Sequence, residues 1–275
     1  DFVAVFRDSL ADDHGLSHRT VDRYVRLVTQ LLLVLGNDPA TYDAGTIRGA
    51  VAGLSPRYSR STIQGYTTAL RAYLRFLVAR GLCCASLVDV VPTVPQWKLS
   101  ALPRYIDADE LTRVFDACDP QTTGGIRDRS ILLLLGRIGL RAGDVVRMRL
   151  EDIDWADGTL RVCGKGRREV RLPLPQDVGD ALLQYIAHAR PAVAIERVFL
   201  CLQAPWRAFH SSVAISGIVD AALTRAGIAD PPSRGANLLR HSAATTLLRQ
   251  GATLDAVSTM LRHRSLDTSM HYAKV

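Results

Sequence analysis

Lysine is scarce in this chain, although the chain as a whole is basic. Of its 34 lysine and arginine residues only three are lysine, and the formal net charge is +7, with an isoelectric point near 9.4. A protein this basic is a candidate for binding a polyanion, nucleic acid first, although an excess of charge also serves solubility. Composition therefore favours a nucleic-acid partner without deciding it.

Several patterns that mark other classes of protein are missing. The five cysteines are odd in number and form no Cys-x-x-Cys, which argues against a disulfide framework and a thiolate zinc site. No apolar run approaches the roughly 18 residues of a membrane span, and no signal peptide is visible. We therefore expect a cytosolic protein that has reduced thiols and does not contact a membrane.

Residues 1–91 predict a small bundle of helices with no strand signal. Apolar residues recur at helical spacing from Ser17, which can cap the first helix, to Leu35. The same spacing returns over Ser61–Arg80, and a shorter helix is predicted over Thr46–Leu54. This segment is therefore predicted to be a helical domain.

Residues 92–104 have three prolines and little periodicity, which is typical of an extended linker between domains. We therefore predict a second domain over residues 105–275. Its alternating segments predict three short strands near residues 152–155, 159–163 and 169–174, and the remainder is predicted to be helical.

Basic side chains accompany the helices of the first domain. A spacing of three or four residues puts side chains of one helix on a common face. The basic residues are Arg19, Arg23, Arg26, Arg57, Arg60, Arg71 and Arg75, and Lys98 follows in the linker. Such a face can bind the phosphates of DNA, although an ordinary solvated face has the same pattern.

The last forty residues have the pattern of a site that acts on a phosphate. Asn237, Arg240, His263 and Tyr272 lie on or between short apolar helices. Arginine can bind two phosphate oxygens at once, histidine can donate a proton near neutral pH, and tyrosine can be a covalent nucleophile.

This segment resembles the C-terminal signature of the tyrosine recombinases, also called the phage integrase family. That signature is His-x-x-Arg, then Leu-Gly-His, then a tyrosine nine residues after the last histidine. Arg240, His263 and Tyr272 match it. Asn237 departs from its first histidine and Arg262 from its glycine.

Two further motifs extend the resemblance. Gly139-Leu140-Arg141 is similar to the family's Gly-Leu-Arg box, with Asp144 at the acidic position, and Lys165 lies between two glycines in a predicted turn, where the family has its catalytic lysine. Taken alone, Arg141 could be a surface arginine that starts the next helix, and Lys165 a solvated turn residue. His241 is interpreted as a structural, hydrogen-bonded residue rather than a metal ligand.

The resemblance implies a mainly α fold with a small three-stranded antiparallel sheet. Its first part would be a helical, SAM-like core-binding domain and its second part the catalytic domain, and together they would form a clamp around DNA. The implied function is site-specific recombination through a 3′-phosphotyrosyl intermediate, with integration, excision, inversion or resolution of DNA as the outcome.

The resemblance also implies a role for each site residue. Tyr272 would attack the phosphate, Arg141 and Arg240 would stabilise the transition state, and Lys165 would protonate the leaving 5′ oxygen. His263 would donate a hydrogen bond, and Asn237 could donate only a neutral one. No metal, cofactor or ATP is expected, since the chain has no Walker motif and no carboxylate cluster for two metals.

The expected partners are double-stranded recombination sites, a dimer at each site that pairs into a homotetramer, and accessory DNA-bending proteins. Two alternatives remain open. Asn237 motivates the first, a DNA-binding accessory protein of the same fold that no longer cleaves. The second is a type IB topoisomerase-like enzyme, which nicks and reseals one strand without exchanging partners.

Overall fold

The chain consists of two compact units, Asp1–Trp97 and Lys98–Val275. The computed structural model describes residues 2–12, 15–95, 103–163, 169–262, 270 and 272. The division falls within the predicted linker, whereas the predicted domain limits at residues 91 and 105 remain predictions.

The first unit is helical, as predicted. Its helices are α1 (Phe2–Asp12), α2 (His18–Leu35), α3 (Ala44–Ala52), α4 (Arg60–Ala79) and α5 (Ser86–Val90). The side chain of Ser17 caps α2 by accepting from the backbone of Thr20. Helix α3 begins earlier than predicted because Asp43 and Thr46 form a reciprocal capping box, which fixes the start at Ala44.

The core of the first unit forms where α2 and α4 pack against each other. Val28 and Leu31 from α2 meet Leu70 and Leu74 from α4, and all four side chains are buried. Helix α1 covers this core with Phe6, whose ring packs edge-on against Tyr73, with ring centroids 5.2 Å apart. The unit is therefore held by burial of apolar side chains from several helices.

The second unit surrounds a long buried helix. Its elements are α6 (Ala108–Asp116), α7 (Thr123–Gly136), α8 (Ala142–Arg147), β1 (Ile153–Asp154), β2 (Thr159–Cys163), β3 (Glu169–Pro173), α9 (Gln176–Gln184), α10 (Ser212–Arg225), α11 (Asn237–Arg249) and α12 (Leu254–Leu261). The strands form one antiparallel sheet in the order β1-β2-β3. The predicted mainly α fold with a small three-stranded sheet is thereby confirmed.

Helix α7 brings distant parts of the second unit together. Its run from Ile131 to Leu135 is almost fully buried, and the helix packs against α6, α9 and α11. The hydroxyl of Ser130 donates to the carbonyl of Ala181 at 2.7 Å, so the polar group within this core is satisfied. The loop that follows α7 is consequently held beside α11 and α12.

Among the residues that the structure describes, every helix is too short or too polar to span a lipid bilayer.

Candidate active site

Five elements of the second unit contribute polar side chains to one region. These are the loop after α7, the first turn of α8, the first half of α11, the end of α12, and the segment around residue 272. The side chains are Arg141, Asp144, Arg240, His241, Arg262 and Tyr272. They come together because α7 and α11 pack side by side and α12 packs on α11.

Arg240 lies at the centre of this region and is only 5% exposed. Its guanidinium donates to the carbonyl of Gly139 in the loop after α7 and to the carbonyl of Leu261 at the end of α12. Burial, with a smaller contribution from the charge of Arg141, lowers the pKa of Arg240 to about 10. The group therefore stays positively charged at neutral pH, in a place where water does not screen it.

Gly139 is needed for this arrangement for two reasons. Its φ of 70° lies in the left-handed region, which favours glycine. In addition, a Cβ atom at this position would lie 2.6 Å from Cδ2 of Leu261. A side chain here would require Leu261 to shift, so glycine suits the close approach of this loop to α12, which Arg240 bridges.

We expect Gly139→Ala to lower the free energy of unfolding by roughly 2–4 kcal/mol, from left-handed strain together with the overlap with Leu261. Urea denaturation measures this change. Gly158→Ala is the matched control, because Gly158 also has a positive φ, of 57°, but has open space around its Cβ position. The control should lose only about 1–2 kcal/mol. Equal losses would mean that the close approach to Leu261 contributes nothing.

Arg141 precedes α8 and directs its side chain toward the end of α12. Its Nη2 donates to the carbonyl of Arg262 at 3.3 Å. Burial is the main cause that lowers the pKa of Arg141, and the neighbouring charge of Arg262 adds to it. Arg141 is thus a partly buried cation beside Arg240, rather than a free surface residue.

Asp144 is the buried carboxylate of this site, and its side chain is only 3% exposed. One oxygen accepts from Nη2 of Arg262 at 2.6 Å, and the other accepts from Nη2 of Arg147 at 3.0 Å. Both oxygens are therefore bound by arginines. This arrangement makes Asp144 a residue that orients cations rather than an acid or base.

Tyr272 is 2% exposed and packs against Ala244, Val257 and Leu261. Its hydroxyl lies 2.6 Å from Nδ1 of His241, a hydrogen-bonding distance. Burial raises the pKa of the phenol, whereas the charges of Arg240 and Arg141 lower it. A weakly acidic hydroxyl is thereby held next to both a nitrogen base and two positive charges.

The sequence matches known families over both units. The pattern of the phage integrase family matches residues 104–275, and that of the phage integrase N-terminal SAM-like domain matches residues 3–81. The chain belongs to the phage integrase family, the tyrosine recombinases. The predicted family is confirmed, and so are the two predicted kinds of domain. Members of this family are site-specific recombinases, which is the predicted enzyme class.

Named relatives agree with this assignment. A protein of Sinorhizobium fredii named as an integrase/recombinase is 38% identical over 99% of this chain and 67% of its own length. Another from the same organism is 38% identical over 85% of this chain and 56% of its own length. The tyrosine recombinase XerC of Pelobacter propionicus is 30% identical over 99% of this chain and 90% of its own. The chain thus spans between about half and nearly all of the length of these recombinases.

Solved structures of tyrosine recombinases share the fold. A lambda integrase dimer bound to a COC′ core site has a TM-score of 0.78 and 18% identity over 98% of this chain and 93% of its own. The recombinase XerH bound to difH has a TM-score of 0.76 and 17% identity over 98% of this chain and 81% of its own. At these identities the likeness concerns the fold.

The recombinase signature is only partly covered by the described residues. Arg141, Arg240 and Tyr272 are brought together, as the resemblance implies. Asn237 is the exposed first residue of α11 and lies one helical turn before Arg240. Lys165 and His263, together with Lys98 of the linker, lie outside the described residues, so their roles remain predictions.

The basic residues predicted to bind DNA lie in two environments. Arg19, Arg23, Arg26, Arg57, Arg60 and Arg75 are exposed. Arg71 is instead partly buried, and its Nη2 donates to the carbonyl of Val91 at 2.7 Å and to Oγ1 of Thr93 at 3.3 Å. Arg71 therefore has an intramolecular role in holding the segment after α5, and DNA binding by all of these residues stays a prediction.

Two residues have closer links to the site than the sequence indicated. His241 is predicted to be structural and hydrogen-bonded, and its observed hydrogen-bond partner is Tyr272, the recombinase tyrosine. Arg262 appeared only as a departure from the family glycine, yet its side chain pairs with Asp144 inside the site. The unusual arginine at a glycine position is the available signal for Arg262, and His241 is marked only by its place directly after Arg240.

Proposed function

We propose that this protein is a site-specific DNA recombinase, which cuts and rejoins DNA strands through a 3′-phosphotyrosyl intermediate. The observation that carries the proposal is the position of Tyr272, which is buried with its hydroxyl 2.6 Å from Nδ1 of His241, the residue directly after Arg240. The charges of Arg240 and Arg141 also act on this phenol, so a phosphate that contacts both arginines would be close to the tyrosine hydroxyl.

The proposed reaction exchanges one phosphoester bond for another. The oxygen of Tyr272 attacks the phosphorus, the bond from phosphorus to the 5′ oxygen breaks, and that oxygen takes a proton, which the family resemblance assigns to Lys165. A 5′ hydroxyl of a second strand then loses its proton to Lys165 and attacks the phosphotyrosine, and the released oxygen of Tyr272 regains a proton from His241. Because each step makes one phosphoester bond and breaks one, the cycle needs no external energy source.

Arg141 and Arg240 are proposed to stabilise the transition state. Attack adds negative charge to oxygens that are already charged, so fixed positive donors lower the barrier. Arg240 is held by two carbonyls before any substrate binds. Such preorganisation avoids the cost of arranging the donors during the reaction.

His241 is proposed to accept the proton of Tyr272 during attack. The pKa of the phenol is raised by burial, so the hydroxyl is protonated at neutral pH and needs an acceptor as it attacks. Nδ1 of His241 lies 2.6 Å from the hydroxyl, within the range for direct proton transfer.

We expect His241→Ala to slow formation of the covalent protein–DNA adduct by roughly 10²–10⁴, the usual contribution of a general base. His241→Gln should be similarly slow, since an amide can hydrogen-bond but cannot take the proton. The rate is measured in single-turnover reactions on nicked DNA. A glutamine variant as fast as the wild type would show that hydrogen bonding alone is what His241 provides.

The proposed partner is double-stranded DNA at two recombination sites, with a dimer at each site and a homotetramer in the synapse. The exposed arginines of α2 and α4 support this proposal, since they offer positive charge to the phosphate backbone. A lambda integrase tetramer bound to a Holliday junction has the same fold, with a TM-score of 0.77. From the family resemblance we further propose a clamp around DNA, action in the bacterial cytosol at the nucleoid, and accessory DNA-bending proteins as additional partners.

Recombination itself is tested on DNA that the protein selects. The protein first enriches its preferred duplex from a randomised library, and two copies of that duplex are placed in one supercoiled plasmid. Recombinant joints are the expected product. Relaxation without joints would favour topoisomerase-like activity, and binding without either product would leave an accessory DNA-binding protein.

A further inference from the structure

Arg262 has a backbone conformation that is unusual for arginine. It directly follows α12 with φ 53° and ψ 49°, in the left-handed region. Among the non-glycine residues that the structure describes, Arg262 is the one with a positive φ. Glycine, which the family signature has at this position, adopts this conformation without steric cost. A strained residue in an active site is a reason to look for a function of its side chain.

The side chain of Arg262 is buried and incompletely paired. Only 7% of it is exposed, and its Nη2 donates to Asp144 at 2.6 Å. Its Nε and Nη1 are also buried, and neither has a hydrogen-bond partner among the described residues. Because buried polar groups are normally satisfied, these two nitrogen atoms indicate a ligand that can accept hydrogen bonds from them.

The surroundings of Arg262 indicate that this ligand is an anion. Its carbonyl accepts from Arg141, and its charge lowers the pKa of both Arg141 and Arg240. Three guanidinium groups therefore lie close together, and Asp144 is the buried carboxylate among them. The positive charge that remains would be compensated by a phosphate.

A second difference from the family signature removes a potential positive charge, whereas Arg262 adds one. Asn237 stands where the signature has a histidine, and an amide cannot carry a positive charge. Relative to the family signature, a potential cation is therefore absent at the start of α11 and a new one is present at the end of α12. Both positions belong to elements that carry signature residues.

We propose that Arg262 is a third phosphate-binding arginine of this active site, whose charge replaces that of the histidine missing at position 237. The proposal rests on the proposed function, since the phosphate is the one that Tyr272 attacks. Nη1 or Nε of Arg262 would donate to a nonbridging oxygen while Nη2 stays on Asp144. Asp144 thereby positions the new arginine.

The first experiment compares a charged and a neutral phosphate at the cleavage position. Nicked forms of the selected duplex are prepared with either the natural phosphate or a methylphosphonate, each diastereomer separately, and adduct formation is timed. Arg262→Gly should slow the reaction on the natural phosphate by roughly 10²–10³, as for other transition-state donors. On the neutral methylphosphonate it should slow the reaction by less than about tenfold, since there is less charge to stabilise.

Arg262→Lys separates charge from structure, because lysine keeps the charge but not the planar fork of donors. Its rate should fall between those of the wild type and Arg262→Gly. Arg262→Gly should keep a cooperative thermal transition, since glycine suits the left-handed backbone. Equal slowing of Arg262→Gly on both substrates would overturn the proposal, as would a wild-type rate on the natural phosphate.

The proposed replacement of the histidine charge by that of Arg262 is tested by restoring the family histidine at position 237. Asn237→His should accelerate Arg262→Gly by at least about tenfold and should change the parent protein much less, which a double-mutant cycle measures. The same factor in both backgrounds would contradict the exchange.

A binding measurement separates failure of this inference from failure of the proposed function. In the Tyr272→Phe background, methylphosphonates are scanned across the selected duplex and affinities are compared with and without Arg262→Gly. Arg262→Gly should weaken binding of the natural duplex, and one neutral position should remove that difference. If no position removes it, Arg262 does not bind a phosphate, whether or not the wild type cleaves.

Discussion

Tyr272→Phe is expected to abolish the covalent protein–DNA adduct and to leave DNA binding intact. The variant removes only the attacking oxygen, and loss of a nucleophile lowers the rate by at least about 10⁴. The ring remains to pack against Val257 and Leu261, so the second unit should still fold. This is the largest effect we expect from any single substitution in the chain.

The measurement uses the selected duplex with a nick scanned across it. A nick close to the cleavage position releases a short strand, which diffuses away and traps the phosphotyrosine as a band that survives denaturation. The wild type should form this band and Tyr272→Phe should not.

Tyr185→Phe is the matched control. Tyr185 is also fully buried, and its hydroxyl accepts from the backbone of Leu200 at 3.2 Å, away from the site. The control should keep the band while losing about 0.5–1.5 kcal/mol of stability with its hydrogen bond. A band in Tyr272→Phe would exclude Tyr272 as the nucleophile. If neither Tyr272→Phe nor Tyr185→Phe formed the band, the loss would reflect general damage to the fold rather than loss of the nucleophile.

The sequence was most informative where a signal is local. Strand β2 was predicted near residues 159–163 and spans Thr159–Cys163, because the alternation of apolar and polar residues lies within a few positions. The predicted cap at Ser17 is also present. Helix α1 was not predicted, because it buries only Phe6 and Leu10, which is too sparse a stripe to detect.

Residue spacing identified the signature residues but not their contacts. Arg141 and Arg240 are 99 positions apart in the sequence, and their proximity follows only from the packing of α7 on α11. The contact of His241 with Tyr272 likewise spans 31 positions. Contacts of this kind depend on tertiary packing, and no periodicity within a single helix encodes them.

Arg71 shows that helical spacing alone does not establish which side chains are free to bind DNA. Its spacing on α4 puts it with the arginines predicted to bind DNA, yet its guanidinium is bound by the carbonyl of Val91. Helical periodicity assigns a side chain to a face of its helix, but it does not reveal that a later segment of chain covers part of that face. Arg75, one turn further along α4, remains exposed.

Arg240→Ala is expected to lower the rate of adduct formation by at least roughly 10²–10³, the usual loss for one transition-state donor. The effect should not be confined to catalysis. The buried carbonyls of Gly139 and Leu261 would both lose their donor, and each unsatisfied group costs about 1–3 kcal/mol. Urea denaturation and single-turnover cleavage together measure the two effects.

Arg240→Lys separates these contributions. Lysine keeps a positive charge, but its single ammonium group cannot reproduce the planar fork that reaches two carbonyls and a phosphate together. We therefore expect it to regain part of the stability and little of the rate. Arg249→Ala is the control, because this exposed arginine at the end of the same helix contacts Tyr105 and none of the signature residues that the structure describes; it should retain cleavage and lose little stability.

Unfolding of Arg240→Ala at the same urea concentration as the wild type would contradict the structural role of Arg240, since two buried carbonyls would then have lost their donor at no cost. Cleavage by Arg240→Lys at the wild-type rate would contradict the need for a guanidinium, because a point charge would then suffice. We expect the guanidinium of Arg240 to have two roles. It connects α11 to the loop after α7 and to α12, and it also binds the phosphate. The same contacts that hold this part of the fold together would then hold the catalytic charge in place before DNA arrives.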